Sequence, residues 1–246
     1  NIRTSGINRL MSGYKHVIDK DGDRLTDGSN VIWRNIRKLV IFLGKNEHQY
    51  LREEYKAREK FNKIRTRETE HVKKCEESFM SVPVKDRSVE KYINPEESGW
   101  EERYYSALFD IKIDDERRKE ICTNYLEGLE WTINYYTRGC IDWRWTYKYD
   151  YPPLLSDLAK FVPYFDTRLV KSSPPEPVSE LVQLSYVLPR GSMNLLPSDL
   201  CEKLISQHPE WYENDCEFKW SFCRYFWESH ATMNEIHIPT LENIVK

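Results

Sequence analysis

Glycine is scarce, at 9 of 246 residues, and none of it is arranged as the GxxxxGK[ST] loop that cradles a phosphate. GxSxG and HExxH are absent as well, and no tight Asp/Glu cluster falls on a strand pattern. Without a nucleophile elbow or a metal motif, a stand-alone hydrolase is the weakest functional reading. An excess of positive charge is also missing: the formal net charge is −3. A protein that grips duplex phosphates over a wide face usually carries a basic surplus, so that mode of binding is excluded. No apolar run approaches the ~20 residues that span a bilayer, and no signal peptide is expected. The six cysteines stand singly, with no C-x-x-C pair, and read as reduced thiols rather than a disulfide framework.

Two patterns invite a metal and do not hold one. The Asp-rich run from Asp19 to Gly28 lacks the calcium-loop ligands, because Arg24 and Asn30 occupy the sixth and twelfth positions, where glycine and glutamate are required. Glu68, His71 and Cys75 can share a helix face but are too few for tetrahedral zinc without partners from elsewhere. No metal ligands are assigned.

Charge and aromatic rings are what the chain has in quantity. Charged residues reach 31%, above the ~25% of an average globular domain, which favours long solvated helices. Aromatics reach 13%, with eight tryptophans. The expected fold is mainly α: an irregular multi-helix domain with a long charged helix and an aromatic-rich, proline-containing loop. Residues 1–77 read as a first helical segment. Within it an apolar stripe of Val31, Ile32, Ile36, Leu39, Val40 and Leu43, flanked by Trp33, runs on past Gly44 into a Glu/Lys/Arg-rich helix reaching about Glu77. Residues 78–98 lose periodicity and read as a flexible linker. Residues 99–246 read as an aromatic-rich helical domain, in which Phe218 to Trp227 form a further helix packed on the central one.

The most informative stretch is Asn124 to Asp157. Leu126, Leu129, Ile133 and Tyr136 recur at helical steps, with acids at Asp114–Glu116 to start the helix and Arg138-Gly139 to close it. Then come five aromatics and two prolines in the twelve residues from Asp142 to Pro153. Such a segment must be fixed by packing its own rings.

Glu127, Gly128, Leu129, Trp131, Tyr135, Tyr136, Gly139, Trp143, Trp145, Tyr147, Tyr149, Tyr151, Pro153, Ser156 and Asp157 together resemble the EGLxWVLxYYxxG helix and SWxWYYPxHYAPxxSD loop of the Xrn-type 5′→3′ exoribonucleases. Trp100-x-x-x-Tyr104-Tyr105-x-x-x-Phe109 resembles another helix of that family, and Leu188-Pro189-x-x-Ser192-x-x-Leu195-Leu196-Pro197 another segment. The chain departs from the pattern at Asp142, Thr146, Lys148 and Asp150, where the family has serine, an aromatic, proline and histidine. The resemblance implies the helical region that follows a catalytic N-terminal nuclease domain. It implies that this chain walls the active site and guides single-stranded RNA with a 5′ monophosphate. In that role it implies Trp143, Trp145 and Tyr147 of the loop as candidates to stack on a nucleobase, and Arg138 at the helix end with Arg144 and Lys148 as candidates to contact phosphates. Stacking tolerates any base and is worth ~1–3 kcal/mol each. The catalytic carboxylates and their Mg2+ are expected on that N-terminal domain, a partner of this chain, so the isolated chain is expected to be inactive. An intracellular setting, cytoplasmic or nuclear, is implied too. The alternative is a non-catalytic helical module that binds protein through its aromatic surfaces.

Overall fold

The computed structural model describes residues 4–18, 23–61, 79–171 and 176–246. Glu68, His71, Cys75, the 62–77 part of the expected charged helix and residues 19–22 of the Asp-rich run lie outside the described residues. The chain is mainly α. Its helices are α1 Thr4–Ile18, α2 Trp33–Gly44, α3 Glu47–Phe61, α4 Val82–Lys85, α5 Ser88–Ile93, α6 Trp100–Phe109, α7 Asp115–Arg138, α8 Leu155–Phe161, α9 Glu180–Val187, α10 Ser198–Gln207 and α11 Ile238–Val245. The only sheet among the described residues pairs β1 Glu217–Lys219 with β2 His230–Thr232, antiparallel, with Phe218 opposite Ala231.

Backbone contacts divide the chain into two units, Asn1–Pro175 with Ser221–Glu228, and Glu176–Trp220 with Ser229–Lys246. The division does not coincide with the linker expected at 78–98. In the first unit α7 is central because it feeds two cores. Its Ile121 joins Ile93, Trp100, Tyr105 and Leu154, while Cys122 and Leu126 join Trp33, Val40, Leu158 and Val162. The helix starts where the sequence says it should: the Asp114 side chain accepts the Arg117 N–H at 2.8 Å. It stops at Gly139, whose φ of +94° suits a residue without Cβ. Leu129 and Ile133 face the core as expected, but Tyr136 is 81% exposed.

Among the described residues the long charged helix is two helices. Gly44 ends α2, and a turn at Lys45–Asn46 separates it from α3. Val31 precedes α2 in an isolated bridge with Thr26, and Trp33, expected to flank the stripe, is fully buried with its indole N–H on the Thr167 carbonyl at 2.9 Å.

Residues 79–98 hold α4 and α5 and lack apolar periodicity for a physical reason: the charged Arg87 and Glu90 are buried alongside Pro83, Ile93 and Pro95. Glu90 is 2% exposed and accepts from Arg58, Arg87 and the Phe222 N–H, at 2.6–2.9 Å. Arg58 also reaches the carbonyls of Pro83 and Cys223. These bonds hold α3, α5 and the 221–223 backbone together.

The aromatic run from Phe218 to Trp227 is not a helix. Phe218, Trp220 and Phe222 step by two, a strand period, and the run enters β1, a turn with Phe222 at φ +63°, and a short 3-10 segment at Phe226–Glu228. Phe222 packs on the core that includes Ile121 of α7. In the second unit Val182, Met193, Leu204, Trp211, Tyr212 and Leu241 form a separate core, with the Tyr212 hydroxyl on the Ser185 carbonyl at 3.0 Å.

Candidate nucleic-acid interface

Asn124, Glu127, Gly128, Trp131, Tyr135 and Arg138 fall at steps of three and four along α7 and share one face. The aromatic loop folds back over the first part of that face. Gly128 makes the return possible: a Cβ there would lie 2.7 Å from Cη2 of Trp145, so the indole rests where any other residue would put a side chain. Trp145 stacks on Trp131 (centroids 5.8 Å, 24° between planes), and Trp131 stacks on Tyr135 (5.2 Å, 12°). The Trp131 N–H is taken by the Asp142 carbonyl at 2.8 Å. The Trp145 N–H is directed to Glu127 at 3.5 Å.

Asn124, 8% exposed, pins the loop backbone. Its oxygen accepts the Lys148 N–H at 2.9 Å, and its amide donates to Glu127 at 3.1 Å and reaches the Thr146 carbonyl at 3.5 Å. Tyr147 lies edge-on to Tyr125 and Tyr149, with its hydroxyl on the Tyr151 carbonyl at 2.7 Å. Burial pushes the Tyr147 phenol far above its usual range, so it acts as a neutral donor. Downstream, the loop is anchored from two helices. Glu47 of α3 accepts the Leu155 and Ser156 N–H groups at 2.7 and 3.0 Å, capping α8 from outside. Burial raises the Glu47 carboxyl above its ordinary range. Asp157 is buried against the Tyr105 hydroxyl (2.9 Å) and Lys160 (2.7 Å). Ser156 and Asp157 of the motif therefore serve the fold.

The six sequence-predicted residues separate into groups. Trp143 is 54% exposed at the turn that opens the loop. Trp145 and Tyr147 are half-buried and spend their rings on the packing just described. Arg144 is half-buried, its N–H held by Asp142 at 2.7 Å. Arg138 is exposed at the end of α7 and donates to Asn30 at 3.0 Å, beside Asp27. The Asp27 carboxyl is held down to about 2, chiefly by Asn30, then by the Ser29 N–H, with Arg138 adding to it. Asn30 in turn lines a cleft of about 930 Å3 together with Arg34, Glu130, Tyr164, Phe165 and Arg168.

Lys148 is exposed elsewhere, in a groove of about 520 Å3 with Glu116, Lys119, Glu120 and Glu127. Its backbone is tied to Asn124, fourteen residues from Arg138 on α7, or about 21 Å at 1.5 Å per residue. The two cations do not converge on one phosphate. Sequence reading missed Asn124 and Glu127 as loop anchors and Tyr135 as a stacked ring. The 124–127–131–135–138 spacing was the signal for all three.

The chain matches the family described as the Xrn1 helical domain over residues 84–237. It is 25% identical to a 5′-3′ exoribonuclease 2 homolog of Drosophila melanogaster, over 280 aligned positions that cover 94% of this chain and 30% of that protein. It is 34% identical over 145 positions to 5′-3′ exoribonuclease 2 of Gallus gallus, covering 56% of this chain and 14% of the relative. Against 5′-3′ exoribonuclease 1 of Saccharomyces cerevisiae the figures are 32% over 128 positions, 51% and 8%. The chain thus spans less than a third of the length of each of these relatives.

Proposed function

Since the chain belongs to the Xrn1 helical-domain family, we propose that it is the helical part of a 5′→3′ exoribonuclease, guiding single-stranded RNA with a 5′ monophosphate along the aromatic loop. The observation that carries the reading is Trp143, an exposed indole on a loop whose neighbours are fixed by Asn124, Asp142, Trp131 and Gly128. The backbone beneath the ring is already ordered, so stacking on a base has only the side chain itself to order. Stacking needs no base-edge contact, which suits an enzyme that must move through every sequence. Unpaired bases alone offer a free face, so the preference is for single strands.

Hydrolysis itself belongs, on this reading, to a nuclease domain supplied outside this chain. Magnesium would act there. The carboxylates of the Lys148 groove do not fit that ion. Glu116, Glu120 and Glu127 are interleaved with Lys119 and Lys148, and among the described residues no three ligating side chains converge. No step is assigned to the metal here.

Fluorescence anisotropy of a 5′-phosphorylated single-stranded RNA tests the reading. Wild-type chain is expected to bind at low salt, and Trp143→Ala to bind about five- to a hundredfold more weakly, with an unchanged melting temperature because the side chain is exposed. Equal affinity of the two proteins would remove Trp143 from the interface. A target that binds with no salt dependence would favour a protein-docking module instead.

A further inference from the structure

We propose a second nucleotide site at the open end of the ring column on α7, with a base stacked on Tyr135 and its phosphate on Arg138. The inference rests on the RNA-guiding reading and extends it to residues outside the aromatic loop.

The column Trp145–Trp131–Tyr135 runs along the helix with rings about one turn apart and tilted by only 24° and 12°. Its first end is closed, since Trp145 is seated on Gly128 and directed to Glu127. Its other end is open: Tyr135 is 45% exposed, and Tyr136, 81% exposed, stands edge-on beside it at 5.6 Å and 82°. The result is a flat ring on a supported stack with a second ring as a side wall. Offset stacking of a planar π system is the favoured way to continue such a column.

The occupant follows from charge. Arg138 lies one turn beyond Tyr135 on the same face, exposed, and its guanidinium has five N–H donors, of which the contact with Asn30 uses one. The opposite end of the face carries Glu127, with Glu116 and Glu120 in the adjoining groove. A strand with phosphates is therefore driven toward the Tyr135 end. The carboxyl-end dipole of α7, about half a charge, and nearby Asp27 oppose it and offset part of the Arg138 attraction, so the dependence of binding on salt is expected to be shallow. An apolar peptide gains nothing from Arg138, and an acidic one has no use for a parallel ring stack. A nucleotide uses both.

The test uses the whole 246-residue chain and single-stranded 5′-phosphorylated RNAs carrying 2-aminopurine at successive positions. Stacking on tyrosine quenches the probe. One position should be quenched by wild-type protein, and that quenching should be lost in Tyr135→Ala and in Tyr135→Leu, with affinity down about five- to a hundredfold. Tyr135→Phe should behave as wild type. Arg138→Gln should flatten the dependence of log K on log salt by about 0.7, the contribution of one single-strand phosphate. Melting curves separate loss of the site from loss of the stack beneath it, and the leucine variant keeps the bulk should alanine unsettle Trp131. Wild-type affinity and quenching in a folded leucine variant, while Trp143→Ala still weakens binding, would overturn this site and leave the broader reading standing. No RNA binding by wild-type protein would overturn both.

Discussion

At the scale of residues, the seat of Trp145 on Gly128 decides whether the loop has one conformation. An alanine on an open helix face would stabilise α7 by about 1 kcal/mol relative to glycine. Here its Cβ would press on Cη2 of Trp145 at 2.7 Å, and forced overpacking costs about 1–3 kcal/mol. The steric cost matches or exceeds the gain, so Gly128→Ala is expected to lower stability by about 0–2 kcal/mol in urea unfolding and to change the near-ultraviolet circular dichroism of the tryptophans. A gain in stability would mean that the indole is not seated there. The motif made Gly128 and Trp145 conspicuous in the sequence, and the need for the loop to pack its own rings was legible from its composition. That one residue is the floor under the other was not, because seventeen positions separate them and only the return of the chain brings them together. Tyr135 escaped notice for a related reason. A tyrosine beside a helical apolar stripe reads as core, and only the placement of Trp131 shows that its ring extends a column.

At the scale of elements, sequence reading succeeded where a periodic apolar face meets a defined start and stop, as in α7 with Asp114 and Gly139 at its ends. It failed where burial is polar. Residues 79–98 carry no apolar rhythm, yet Arg87 and Glu90 are both 2% exposed, with Glu90 accepting from Arg58 on α3 and from Arg87. Ion pairs between residues 32 apart leave no local pattern to read. The cluster gives a sharp expectation. Removing the Glu90 carboxylate leaves Arg58 and Arg87 buried without their shared partner and frees the Phe222 N–H. Breaking a buried pair from one side costs about 3–5 kcal/mol. Glu90→Gln should therefore lower the unfolding free energy measured in urea by about 3–5 kcal/mol. It should also speed hydrogen exchange at the Phe222 amide before the α7 amides are affected. A loss below about 1 kcal/mol would show that the arginines find other acceptors.

At the scale of the whole molecule, the balance of 37 basic against 40 acidic residues sets how RNA is held. The fold does not gather those cations into a stripe along the proposed interface. Arg138 stands at the end of α7, Arg144 within the loop, and Lys148 among Glu116, Glu120 and Glu127, its backbone tied to Asn124, which lies about 21 Å of helical rise from Arg138. Each single-strand phosphate neutralised contributes about 0.7 to the fall of log K with log salt. With Lys148 in a groove whose carboxylates disfavour a phosphate, one or two phosphates are assigned to Arg138 and Arg144, and the expected slope is about −0.7 to −1.4. That is shallow for a nucleic-acid-binding protein, and it assigns most of the affinity to ring stacking, which salt does not screen. Titration of wild-type chain with single-stranded RNA across a tenfold range of potassium chloride measures it directly. A slope steeper than about −3 would require a basic face that includes neither the loop nor the end of α7, and would move the interface to another part of the molecule. A slope within the expected range, unchanged by Lys148→Gln and reduced by Arg138→Gln, would place the strand along the column and away from the acidic groove.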